Sequence, residues 1–245
     1  MMLESIFDRE DERQAIRQRL AKRRPFLIHG PTGVGKTLLL RSLLPEFPSV
    51  LYCDDSATAH VAFRSLAHSL LRLRSPRVRS AFRNEEAIKT KSAVSLKGIV
   101  MDALNESQYT IVLDHLGHPS HSFAAAVREM MSWGSTPVSA VARSSHMEDT
   151  GFLQSLYSDR SQKYGIRNFE RPFAEQFARE VVGHTNLTAS NMNEFLDKIL
   201  QFSEGNPGAI VALVETAKHP KYRSDEHIKI SPLYIDFRMN RKVAG

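Results

Sequence analysis

The sequence predicts an α/β protein, a parallel-sheet core with helices on both faces (an αβα sandwich) followed by a small helical lid. Three observations predict it. Short apolar runs alternate with helical stretches from Pro25 to Phe169. A glycine-rich stretch, Gly30 to Gly35, lies between the first apolar run and the helix after it. After Pro172 three helical patterns succeed one another with no apolar run between them. Alternation of this kind builds a parallel sheet, and a terminal block of helices adds a separate helical layer.

Each element has its own signal. Phe7 to Lys22 reads as a charged helix with Ile16 and Leu20 on one face. Pro25 to His29 is a short strand, and Lys36 to Leu44 a helix closed by Pro45. Val50 to Cys53 is a second strand. Val61 to Leu73 is helical by spacing, with Phe63, Leu66, Leu70 and Leu73 recurring every three or four residues. Leu96 to Asn105 is a further helix, Tyr109 to Asp114 a strand ending in a carboxylate, and Phe123 to Trp133 a helix. Phe123, Val127, Met130 and Trp133 read there as packing residues. Pro137 to Arg143 is a strand ending in a cation, and Gly165 to Phe169 a short strand. Ala174 to Val182, Met192 to Phe202 and Pro207 to Ala217 are the lid helices. The expected domains are a core over 1–171, a lid over 172–218 and an unassigned tail over 219–245, in which Ile228–Ile230 and Tyr234–Phe237 read as extended.

Composition narrows the class. The chain has 245 residues, 42% apolar and 24% charged, which excludes wholesale disorder and fibrous structure. One cysteine, Cys53, excludes an internal disulfide framework and a multi-cysteine zinc site, and reads as a small core residue. The first ten residues carry no apolar signal-peptide core, and no apolar run approaches the roughly 18–20 residues that span a bilayer. The expectation is a cytoplasmic protein with no membrane partner.

The net charge of +6 is unevenly placed. Arg72, Arg74, Arg77, Arg79, Arg83, Lys89, Lys91 and Lys97 face only Glu85 and Glu86, and the rest of the chain is neutral. A second basic group is Arg17, Arg19, Lys22, Arg23 and Arg24. Phosphate backbones and anionic partners suit such patches; the alternative is a solvated helix face and a mobile loop.

Gly30-Pro31-Thr32-Gly33-Val34-Gly35-Lys36-Thr37 matches the phosphate-binding pattern G-x-x-x-x-G-K-[ST], with a strand before it and a helix after it. Glycines let backbone N–H groups turn inward around phosphate oxygens, and the helix N-terminus adds its positive end. Lys36 reaches the β- and γ-phosphates, and the Thr37 hydroxyl serves Mg²⁺. The expected nucleotide contacts therefore run from Gly30 through Leu38. A carboxylate for the magnesium belongs at the end of a neighbouring buried strand, and Asp114 supplies it. His115 follows, where many proteins with this phosphate-binding pattern carry a second acid; an imidazole could accept a proton there. No guanine-reading N-K-x-D pattern is present, which favours ATP.

With these pieces placed, the chain from about Phe7 to Ala217 resembles the AAA+ and STAND group of P-loop ATPases, and within it the ORC-like and transposition-regulator-like domains. Ile6 to Glu12 resembles the group's N-terminal hhGRExE motif, with Asp8 in place of the usual glycine; the resemblance puts Arg9 beside the adenine. Arg143 sits like the sensor 1 position. Gly205-Asn206-Pro207-Gly208 resembles the GxP motif of STAND lids, which brings Pro207 near the base or sugar. Arg160 lies where AAA+ proteins often place an arginine finger for the neighbouring subunit.

The resemblance implies an ATP-binding, ATP-hydrolysing switch that moves its lid and so controls assembly or partner binding. Lys36, Asp114, His115, Arg143 and Arg160 would carry the chemistry, with Thr37 and Asp114 at the magnesium. The implied partners are ATP and ADP, further copies of the chain, an unidentified protein, and duplex DNA through Arg72–Lys97. Two alternatives stand beside this: an ATP-binding protein-interaction module that does not hydrolyse, which His115 keeps open, and a P-loop kinase for a small molecule. The kinase needs catalytic arginines in the lid, and Arg179 is the only one between Pro172 and Arg223. His115, His118 and His121 could in principle hold zinc, but Gly117 and Pro119 make the segment a loop of no set geometry. Asp54 and Asp55 read as a turn.

Overall fold

The computed structural model describes residues 9–56, 58–106, 108–133 and 136–243, without the side chains of Trp133 and of 240–243. Ile6, Phe7 and Asp8, and the packing role expected of Trp133, lie outside the described residues. The elements are α1 (Glu10–Ala21), β1 (Leu27–His29), α2 (Lys36–Leu43), β2 (Val50–Cys53), α3 (Ala59–Arg72), α4 (Pro76–Ala81), α5 (Glu85–Lys89) and α6 (Ala93–Asn105). Then come β3 (Thr110–Leu113), α7 (His121–Trp133), β4 (Val138–Ala142), α8 (Met147–Thr150) and β5 (Lys163–Gly165). The last are α9 (Arg171–Thr185), α10 (Met192–Ser203), α11 (Pro207–Ala217), β6 (Arg223–Ser224), β7 (His227–Ile228) and α12 (Ile230–Val243).

The chain divides into two units. In the first, residues 9–30 and 36–166, β1 to β5 form one parallel sheet in the order β2-β3-β4-β1-β5. The predicted α/β class is the observed one. β3 and β4 are buried along their whole length, as expected of a sheet covered on both faces. Ile111, Leu113, Val138 and Ala140 from these strands join Phe63, Leu66 and Leu70 of α3 and Phe123, Val127 and Met130 of α7 in one core.

Two local expectations for this unit need correction. The basic stretch after α3 is no loose loop. α4 and α5 each bury an apolar residue, Val78 and Ile88, and Phe82 between them is buried too, so the backbone is held while the cations point outward. The short strand after α8 is Lys163–Gly165, earlier than the expected Gly165–Phe169. Ile166 N–H still donates to the His29 carbonyl at 2.7 Å, but Phe169 N–H turns to the Gly205 carbonyl in the other unit's own sequence, so pairing stops.

The second unit comprises residues 31–35 and 167–243. α9, α10 and α11 pack through Phe177, Phe195, Ile199, Ile210 and Leu213. The β6–β7 hairpin and α12 complete this core with Ile228 and Leu233. Tyr234–Phe237 is thus helical, not extended. β-prone side chains suggested a strand, but Ile230, Leu233, Tyr234 and Phe237 follow helical spacing, and Pro232 occupies the first turn, where its missing N–H costs nothing. Tyr234 stacks on Phe202 with ring centroids 3.7 Å apart.

Candidate functional site: the phosphate loop and its carboxylate

The sheet carries β1, β3 and β4 side by side, so their C-terminal ends converge on one edge, where ligands of open α/β sheets collect. β1 leads into the phosphate loop. Gly30 N–H donates to the Arg143 carbonyl at 3.2 Å, which ties the start of the loop to the end of β4. Gly33 and Gly35 take φ of 83° and 98°, in the left-handed region that side chains avoid. Val34 is buried, and Thr32 and Leu38 are exposed. Lys36 opens α2, and its ammonium donates to the Gly30 carbonyl at 2.6 Å. Burial pushes that ammonium below its ordinary value; the charges of Asp114 and Asp149 oppose the shift and that of Arg143 adds to it.

Residues 31–35 are held by α11 and the turn before it. Gly208 N–H donates to the Gly33 carbonyl at 2.9 Å, and Asn206 Nδ2 donates to the Thr32 carbonyl at 3.0 Å. Asn206 is buried and also caps α11, its Oδ1 accepting from Ala209 N–H. Pro207 is the first residue of that helix and is buried. A side chain at 208 would meet Gly33 Cα at 2.8 Å, so glycine is required for this approach.

Asp114 stands one residue beyond β3 and is 1% exposed. Its N–H donates to the Cys53 carbonyl at 2.9 Å and its carbonyl accepts from Ser56 Oγ at 2.5 Å, so the backbone is fixed. Oδ2 accepts from Thr37 Oγ1 at 2.8 Å and from the Tyr52 hydroxyl at 2.5 Å; Oδ1 accepts from His115 N–H at 2.8 Å. Burial and the bond to Asp114 raise the Tyr52 phenol well above its ordinary value. Thr37, Lys36 and Asp114 therefore lie together.

The other expected residues are more scattered. His115 is exposed, with a left-handed backbone (φ 52°) and Nε2 3.9 Å from Asp114 Oδ2. Arg143 is exposed directly after β4. Arg160 is exposed at the start of a single 3₁₀ turn, Arg160–Gln162, which Asp159 and Gln162 cap reciprocally. Arg9 is buried before α1, and its Nη1 donates to Glu12 at 2.7 Å. No group of three or more metal-ligating side chains occurs among the described residues, so His115, His118 and His121 do not gather around a metal; His121 instead meets the Phe152 ring edge-on. No described helix is long and apolar enough to cross a membrane.

Sequence reasoning missed Tyr52 as a partner of Asp114. Side chains alternate along β2, and Tyr52 pairs with Val112 in register, which puts Tyr52 and Asp114 on one face. The alternation is visible in sequence; the register is not.

Sheet order, phosphate loop and strand-end carboxylate together define the fold of a P-loop ATPase. In particular it is the fold of the archaeal AAA+ ATPases of the Orc1/Cdc6 type. The Walker-type ATPase PABY2304 of Pyrococcus abyssi superposes with a TM-score of 0.62 at 16% identity, over 97% of this chain and 73% of that one. CDC6p from Pyrobaculum aerophilum gives 0.58 at 12% identity, over 86% and 61%. The Aeropyrum pernix ORC1 protein, solved in complex with DNA, gives 0.56 at 15% identity, over 96% and 65%. The chain thus spans less than two thirds of the last two. No protein-family model matches the chain, and no curated protein matches it in sequence.

Proposed function

We propose that this chain binds ATP with Mg²⁺ and acts as a nucleotide switch of the AAA+/STAND kind, controlling self-assembly or partner binding. The observation that carries this is the 2.8 Å bond from Thr37 to the buried Asp114 carboxylate beside Lys36. These are hard oxygen donors in the place where a P-loop needs them, and they fit magnesium. Magnesium bound there would neutralise charge on the β- and γ-phosphate oxygens. The N–H groups from Gly30 to Leu38 would cradle the phosphates, with Lys36 exchanging the Gly30 carbonyl for a phosphate oxygen. Arg9 and Pro207 are proposed beside the base and sugar. The proposed domains are a core over 1–171, a lid over 172–218, and a tail over 219–245 that finishes the lid's core through Ile228 and Leu233.

For hydrolysis we propose that His115, next to Asp114, orients the attacking water and accepts its proton. Arg143 would read the γ-phosphate charge in its own chain, and Arg160, exposed, would supply it to a neighbour. His115 in place of an acid also favours a second reading, in which ATP is bound but not hydrolysed. Duplex DNA is a proposed partner, and the DNA-bound ORC1 of similar fold supports it. In the basic segment Arg72, Arg77, Lys89 and Lys97 are ion-paired with Glu85, Asp102, Glu86 and Glu129. Arg74, Arg79, Arg83 and Lys91 are exposed, with no ion pair among the described residues, and would carry the phosphate contacts.

The test is ATP turnover with and without duplex DNA, in wild type, Lys36→Ala and Arg160→Ala. The switch reading expects turnover that needs Lys36 and rises with protein concentration. Loss in Arg160→Ala with ATP binding intact supports the finger in trans. Binding without turnover under every condition selects the non-hydrolysing reading, and absence of ATP binding sinks both.

A further inference from the structure

The nucleotide reading leaves one partner of Asp114 unused. Thr37 and Tyr52 both donate to Oδ2, and His115 N–H donates to Oδ1. An ionised carboxylate oxygen offers about two lone-pair sites, so Oδ2 is saturated by protein donors. Tyr52 is well fixed. Leu51 and Cys53 on either side of it are buried in the core, and its carbonyl accepts from Ser69 Oγ at 3.3 Å. The Arg41 guanidinium of α2 lies 5.6 Å from its ring centroid. The hydroxyl therefore reaches Asp114 from a strand neighbour with little freedom of its own.

A phenol donating to a carboxylate does two things. It fixes the carboxylate's rotation, and it draws negative charge from the oxygen a metal or metal-bound water would use. We propose that Tyr52 is a positioning residue for the magnesium ligands: its hydroxyl holds Asp114 towards Thr37 and restrains the carboxylate's attraction for Mg²⁺. This rests on the ATP–magnesium reading above. Its consequence is that the magnesium concentration needed for tight ATP binding is set by a residue outside the phosphate loop.

Tyr52→Phe keeps the ring and removes the donor. The affinity of a fluorescent ATP analogue is measured against rising MgCl₂ and in EDTA, with the melting temperature of the nucleotide-free protein reporting the fold. The expected result is a fall of about three- to tenfold in the half-effective magnesium concentration, with a smaller change in EDTA. Tyr52→Met also lacks the donor and must shift the same way; it decides the matter if the phenylalanine variant does not fold. An unchanged or raised half-point, in a protein whose wild type responds to magnesium, overturns this inference alone. A wild type that binds the analogue equally with and without magnesium overturns the metal reading and this inference with it.

Discussion

Thr37 Oγ1 lies 2.8 Å from Asp114 Oδ2, although 77 residues separate them in the chain. Thr37 lies in the first turn of α2, after β1, and Asp114 directly follows β3, and only the parallel sheet brings them together. Asp114→Ala removes the acceptor of Thr37, Tyr52 and His115 N–H at a buried position. The expected cost is about 2–4 kcal/mol, read by chemical denaturation, together with loss of any magnesium dependence of ATP binding. Unchanged stability would show that the three donors are satisfied elsewhere.

Lys36→Met separates function from stability. Burial disfavours the Lys36 ammonium in the nucleotide-free protein, so an apolar side chain of similar length relieves that cost. The melting temperature without nucleotide is expected to be equal or higher, while ATP binding is lost. A marked fall in melting temperature would mean that the bond to the Gly30 carbonyl outweighs the burial.

The same shift makes ATP binding depend on pH. Phosphates raise the Lys36 value, whereas burial in the free protein lowers it from 10.5. Between the two, binding takes up a proton, so affinity falls as pH rises through the lowered value. Lys36→Arg stays charged throughout and flattens that limb. Titrations of affinity against pH test this; a wild-type curve as flat as the arginine variant's would refute it.

Gly208→Ala puts a methyl group 2.8 Å from Gly33 Cα and 2.9 Å from its carbonyl oxygen. Neither atom belongs to a flexible side chain, so either the phosphate loop or the start of α11 must shift, and the contact between them changes. Alanine is otherwise welcome near a helix start. ATP affinity is expected to fall at least tenfold, about 1.4 kcal/mol, with the circular dichroism of the protein preserved. An unchanged affinity would mean that residues 31–35 tolerate the displacement.

Phe82 is 1% exposed between α4 and α5. Phe82→Ala is expected to cost about 3–5 kcal/mol and to speed amide exchange across 76–89. If that segment presents DNA contacts, replacing Arg74, Arg79, Arg83 and Lys91 by alanine reduces the salt dependence of duplex binding by about four phosphate contacts' worth. An unaltered salt slope would exclude this surface.

Much of the fold was legible because its signals are local. Pro207–Ala217 is bounded as the sequence predicts, since the proline, the asparagine before it and the apolar spacing all lie within one helix. The phosphate pattern was legible for the same reason: its glycines, lysine and threonine are contiguous. Less was legible where burial and local pattern disagree. The cations of 72–91 concealed Val78, Phe82 and Ile88, and the β-branched and aromatic residues of 228–237 concealed the helical spacing of α12.

The sequence by itself determined the α/β alternation, the phosphate loop and the carboxylate at the end of a buried strand. Only the tertiary structure decided that Tyr52 shares Asp114 Oδ2 with Thr37, and that Asn206 and Gly208 hold the Thr32 and Gly33 carbonyls. The physical reason is range: spacing specifies which face a side chain takes along its own strand or helix, whereas strand order and register, settled by burial across the whole sheet, specify which faces meet.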